Sequence, residues 1–114
     1  MAIDEFQKQK VIKLLSEFCN TRVPDRVKDK IKLDFEIIGN NVTLFERRKA
    51  YFDETKWSEM KIAQFRYDSD KEKWSLYWLR HIGKWHIYDE IDPATDIQVL
   101  IDEVKKDPLC VFWG

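Results

Sequence analysis

Apolar residues recur at helical spacing at the start of the chain, alternate through its middle, and return to helical spacing near its end. In DEFQKQKVIKLLSEFCN, Phe6, Val11, Leu14, Leu15 and Phe18 mark one face of a helix. Asp4 stands where an N-cap belongs, with Gln7 three residues on as in a capping box, and Asn20 and Pro24 end the helix. PDRVKD reads as a single helical turn with Pro24 at its first position. TDIQVLIDEVKK repeats the helical period: Thr95 and Gln98 form a second capping box, Ile97, Leu100, Ile101 and Val104 form the apolar stripe, and Pro108 stops it.

Between these helices the period is two. IKLDFEI sets Ile31, Leu33, Phe35 and Ile37 against Lys32, Asp34 and Glu36, the mark of a half-buried strand. GNN turns the chain into VTLFER, and KAYFDETKWS, residues 49–58, breaks the alternation as an irregular link. KIAQFRY is a third strand, DSDK a turn, and KWSLYWLR and KWHIY a fourth and fifth strand joined around Gly83. Both glycines inside the chain, Gly39 and Gly83, fall at hairpin turns, so local chemistry and periodicity agree. The fold class is α+β: an N-terminal helix, a five-stranded antiparallel meander, a C-terminal helix packed on one sheet face, and an ordered apolar tail.

With an even number of residues in each hairpin loop, Arg80 falls opposite Trp85, Trp78 opposite Ile87, Tyr77 opposite Tyr88, Phe65 opposite Trp74, Ala63 opposite Leu76, Ile37 opposite Val42 and Phe35 opposite Leu44. One face then carries Ile31, Leu33, Phe35, Ile37, Val42, Leu44, Ala63, Phe65, Trp74, Leu76, Trp78, Trp85 and Ile87 as core wall. The other carries Asp34, Glu36, Thr43, Phe45, Arg47, Ile62, Gln64, Ser75 and Leu79 with Arg66, Tyr77, His86 and Tyr88. It is too aromatic for a plain wet surface, and those last four residues make it a candidate interaction face. At one edge of the core face, Glu46, Arg48, Arg80 and Trp85 come together, with Arg80 over the Trp85 indole. Two guanidiniums and a carboxylate around an indole suit an anionic or planar ligand. The competing reading, favoured on general grounds, is a Glu46–Arg80 ion pair closing the core.

Length and composition narrow the function. A chain of 114 residues is one domain, residues 1–114, and 44% hydrophobic content builds its core without metal or disulfide. Cys19 and Cys110 read as small hydrophobes, the N-terminus lacks a signal-peptide layout, and no apolar run spans a membrane, so the expected compartment is the cytoplasm. The net charge of −1 disfavours nucleic acid, although basic residues gather in 22–32 and acidic ones in 89–107. No zinc-ligand spacing, glycine-rich phosphate loop or nucleophile elbow is present, so no catalytic residue, metal or cofactor is assigned and an enzyme is unsupported. His86 and His81 read as ordinary surface histidines.

The FC of the first helix, LDFEI, the ER of the second strand, the W-x-L-Y-W-x-R hairpin beginning at Trp74, the KDP helix stop and the terminal aromatic-glycine together form a pattern. It resembles the bacterial domain of unknown function 3024 family across nearly the whole chain. Members often carry a proline after the E-x-R of the second strand, where this chain has Lys49. The resemblance implies a small bacterial protein and no particular activity. The expected function is a non-enzymatic binding or interaction module; the alternative is a small-ligand site or enzyme at the Glu46/Arg48/Arg80/Trp85 edge. Val111, Phe112 and Trp113 are too apolar for a loose end. Phe112 and Trp113, adjacent in an extended tail, would point to opposite sides. At least one would be buried in its own domain; the other would need the mixed sheet face or a second subunit, and a symmetric homodimer is the simplest closure of the surplus aromatic surface.

Overall fold

The structure, a computed structural model, describes residues 3–50, 52–80 and 83–113. Helix α1 (Glu5–Arg22) leads through a 3-10 turn (Asp25–Val27) into β1 (Ile31–Ile38), β2 (Asn41–Ala50), β3 (Asp53–Asp68), β4 (Lys73–Leu79) and β5 (Trp85–Ile87); α2 (Ile97–Lys106) follows. The strands form one antiparallel sheet in the order β1-β2-β3-β4-β5, the expected α+β meander. Both helices lie on the same sheet face, α1 against β1 and α2 against β3 and β4.

Local chemistry sets the helix ends. The Asp4 carboxylate accepts the Gln7 N–H at 2.8 Å, as the capping box requires. Pro24 precedes the 3-10 turn as its N-cap rather than opening it. At α2 the N-cap is Asp96, not Thr95: its carboxylate accepts the Gln98 N–H at 2.9 Å and meets Lys10 of α1 at 3.2 Å. A carboxylate caps as well as a hydroxyl and adds a charge that Lys10 can use.

The first hairpin follows the expected register, Ile37 opposite Val42 and Phe35 opposite Leu44, with Gly39 at φ +59° in the turn. Residues 49–58 differ from expectation. They are not an irregular link: β2 continues to Ala50 and β3 begins at Asp53, and the pairing continues there with a register shift between Lys49 and Ala50. The shift is why the alternation breaks in the sequence while the strands persist. The Lys49 N–H donates to Lys30 C=O at 2.9 Å, a bond that proline could not make. A second irregularity, between Leu44 and Phe45, brings Ile62 into the core rather than onto the outer face.

Two pairings shift. Between β3 and β4, Phe65 faces Leu76, Ala63 faces Trp78 and Tyr67 faces Trp74; the displacement by two leaves every side chain on its expected face. Between β4 and β5 it is by one: Leu79 faces Trp85, Trp78 faces His86 and Tyr77 faces Ile87. Arg80 N–H bonds Lys84 C=O, and Gly83 takes φ +82°, so the loop holds an odd number of residues. A slip by one exchanges the faces of a whole strand. Trp85 and Ile87 therefore leave the core wall, Ile87 being 52% exposed, while His86 and Tyr88 turn toward the helices. His81 lies outside the described residues.

The core is centred on Trp74, Phe65, Leu44, Val42 and Leu76 from the sheet, Val11 and Leu15 from α1, and Leu100 and Val104 from α2. Phe6, expected in the α1 stripe, is exposed; Ile3, just before the N-cap, is buried instead. Where Ile31, Leu33, Phe35 and Ile37 line β1, burial is only partial.

The tail is not extended. Asp107 takes a left-handed conformation, φ +43°, and its carboxylate accepts the N–H groups of Val111, Phe112 and Trp113 at 2.9–3.3 Å. Phe112 packs on Tyr88 at 5.1 Å between centroids. Trp113 packs on Phe18 and donates its indole N–H to Val104 C=O at 2.7 Å. Both aromatics are thus used inside their own domain, contrary to the expectation of opposite sides. Gly114 lies outside the described residues.

These placements separate two substitutions. Phe112→Ala empties a site that is 4% exposed and should cost about 3 kcal/mol, roughly 10 °C in melting temperature. Ile87→Thr, which an unshifted β5 would make a core defect, should change stability by under about 0.5 kcal/mol. Thermal denaturation followed by circular dichroism measures both.

Candidate functional site

On the helix face, beyond the core, β2 brings up Glu46 and Arg48, two residues apart and so on the same side. The Arg48 guanidinium donates to the Glu46 carboxylate, which is 7% exposed; this bond, then the charge itself, raises the Arg48 pKa. Arg80 is absent from this pair. The α1 end and the tail add Arg22, whose guanidinium lies 4.4 Å from the centre of the Trp113 ring. Glu46, Arg48, Arg22 and Trp113 line one groove of about 260 Å³, floored by Leu33 and Ile62. The chemical set expected from the sequence, two guanidiniums and a carboxylate around an indole, is present, with Arg22 and Trp113 in the places assigned to Arg80 and Trp85. Arg80 is exposed in the β4–β5 turn and Trp85 lies on the opposite face, with no cation–π contact between them. No sequence spacing links Trp113 to Arg22; the Asp107 carboxylate and the Phe18 contact do.

The opposite face has no helix on it. Arg66 and Tyr77, both assigned to it, meet there: the guanidinium lies 3.9 Å from the ring centre. Arg66 also donates to Gln64 at 2.6 Å, and Gln64 donates to Thr43 at 3.0 Å, so a polar chain runs along β3 and crosses to β2. Arg47 lies over Phe45 at 5.2 Å and pairs with Glu59 at 3.5 Å. Farther along, Lys32 and Lys49 lie over Trp57 at 5.2 and 5.7 Å, where Lys32, Arg47, Trp57 and Glu59 line a hollow of about 350 Å³. Sequence reasoning placed Trp57 in a loop and missed it; the register shift after Lys49 concealed its strand.

The other two residues assigned to this face are not on it. His86 stacks against Trp78 at 6.0 Å, and its Nε2 is enclosed without a hydrogen-bond partner. Tyr88 is buried and donates its hydroxyl to Glu103 of α2 at 2.8 Å. Burial raises the Tyr88 pKa above its ordinary value, and the bond to Glu103 raises it further. Cys19, beside β1, is pushed up to about 12 by burial first and by the Asp34 charge second, which leaves a protonated, unreactive thiol at neutral pH. Cys19 and Cys110 are both free.

A small α+β domain with a one-sided helical layer, a bare sheet face and a basic groove at the sheet end is the class of protein these features define. The family model for a domain of unknown function, DUF3024, matches residues 3–114, and the chain belongs to that family. No curated protein and no solved structure matches it. Among the described residues no helix is long and apolar enough to cross a membrane.

Tyr88 gives a pH prediction. Its folded pKa is raised above the ordinary 10.0, so the stability it contributes is complete below pH 10 and is lost as pH rises beyond. Tyr67 is raised by burial first and Cys19 likewise, so both act in the same direction. Unfolding free energy measured in urea should begin to fall above about pH 9, through Cys19, and more steeply above about pH 10, where the tyrosines join. Tyr88→Phe should lose roughly 1–2 kcal/mol at pH 7 and show a shallower alkaline decline.

Proposed function

We propose that the protein is a non-enzymatic interaction module whose working surface is the sheet face without helices. One observation carries this reading: on that face cations lie on aromatic rings, Arg66 on Tyr77, Arg47 on Phe45, and Lys32 with Lys49 on Trp57. Tyr, Trp and Arg are the residues that anchor protein interfaces, because they offer large rigid contact area with a polar edge. Ring faces already covered by cations are not open for bases to stack on, so a protein partner fits better than single-stranded nucleic acid. Trp85 and Ile87 extend the same surface with exposed apolar area. We place the module in the bacterial cytoplasm, where two free thiols persist.

A second reading is kept for the groove of Glu46, Arg48, Arg22 and Trp113, which would take an anionic or planar ligand between the guanidiniums and the indole. It predicts that inorganic phosphate changes Trp113 fluorescence and that Arg22→Ala abolishes the change.

The leading reading is tested by affinity capture with the whole chain as bait. Arg66→Glu combined with Tyr77→Ala should lose the partner that the parent protein retains, while Arg80→Glu should keep it. Equal recovery by all three baits would remove the outer face from consideration.

A further inference from the structure

Strand β1 is the long open edge of the sheet. Its one neighbour is β2, whereas the far side of β4 is covered by β5 and then by the bridge from Trp74 to Ala94. The carbonyl of Lys30 accepts from Lys49, so the even-numbered backbone groups of this segment face β2 and the odd-numbered ones face outward. The Phe35 N–H fits this alternation: it points to the open edge and bonds the carboxylate of Asp34 at 2.8 Å. The N–H and C=O groups of Ile31, Leu33 and Ile37 point the same way. An edge of this length is a template for another strand.

The charges along β1 specify which strand. Its solvent side reads Lys32, Asp34, Glu36, with Lys30 immediately ahead of the strand, so it is basic at the start and acidic after. Turned antiparallel on itself about Leu33, the sequence sets Lys32 opposite Asp34 and Lys30 opposite Glu36, with each pair occurring twice. Turned about Asp34 it would face like charges at its centre; turned about Phe35 it would oppose Asp34 and Glu36. The register about Leu33 also pairs odd residues with odd residues, as the outward backbone groups require. On the helix side, the same register sets the half-buried Leu33 opposite its own copy and Ile31 opposite Phe35, each of the latter pairs occurring twice. A groove of about 450 Å³ between α1 and β1, lined by Val23 and Cys19, leaves room there.

We infer that the occupant of this edge is a second copy of the chain, paired through β1 in an antiparallel two-fold centred on Leu33, so that two sheets become one. The Phe35 N–H then passes from Asp34 to the partner's carbonyl, and the freed carboxylate meets the partner's Lys32. The two readings share Lys32, which lies over Trp57, but removing Arg66 and Tyr77 leaves β1 intact and Asp34→Lys leaves the outer-face cations in place, so either can fail alone.

Charge reversal and restoration test it, read by sedimentation equilibrium on the whole protein. The parent should sediment at twice 13.8 kDa. Lys32→Glu and Asp34→Lys should each weaken the dimer about tenfold or more, since opposed like charges replace ion pairs at both symmetry-related positions. The double variant Lys32→Glu with Asp34→Lys regains complementarity and should dimerise like the parent. Circular dichroism melting confirms that each variant is folded. A parent that stays monomeric at several hundred micromolar, a dimer indifferent to either single reversal, or a folded double variant that stays monomeric would overturn the inference.

Discussion

Two helices, of 18 and 10 residues, are the helical layer of this chain, and a five-stranded sheet has two faces to cover. The chain spends both helices on one face. Trp74, Phe65 and Leu76 disappear beneath them, and the layer is completed by the tail, which Asp107 folds back so that Phe112 and Trp113 fill the space beside α1 and β5. Three backbone N–H groups on one carboxylate are a strong local constraint, because charge-assisted bonds hold where neutral ones would fray. The basic groove at the sheet end depends on the same constraint, since Trp113 forms its wall.

The uncovered face is kept from being sticky by its own side chains. Thr43, Gln64 and Arg66 satisfy one another in a line, and Phe45 and Tyr77 are roofed by guanidiniums. Such an arrangement tolerates water, and the aromatic area left accessible on this face is that of Trp57, 39% exposed, and of the half-buried Tyr77 and Trp85. In the proposed dimer the open β1 edge would use different physics: backbone hydrogen bonds would give the affinity and the Lys–Asp and Lys–Glu pairs the register.

Periodicity alone made the strands, helices and one-sided core legible, because alternation and the 3.6-residue repeat are properties of the elements themselves. Ile31 to Ile37 and Val42 to Leu44 were placed correctly for that reason. What escaped was set by loops and bulges. The odd loop around Gly83 moved Trp85 and Ile87 outward and His86 and Tyr88 inward, and the irregularity at Leu44 brought Ile62 into the core. Half of the candidate interaction face, Arg66 and Tyr77, lies together on the outer side because β3 and β4 slipped by two rather than one. Of the candidate edge site, Glu46 and Arg48 are neighbours because they share one strand. Arg80 and Trp85 depended on a hairpin register that no residue pattern specifies.

The central claim is that the helix-free face is the surface the protein works with. Hydroxyl-radical footprinting of the protein inside its cell, compared with the purified protein, tests this most directly. Tyr77, Trp57 and Trp85 should be protected in the cell, while Val99 and Leu109 on the helical side should label equally in both. Equal labelling of the three aromatics in the two settings would contradict the account.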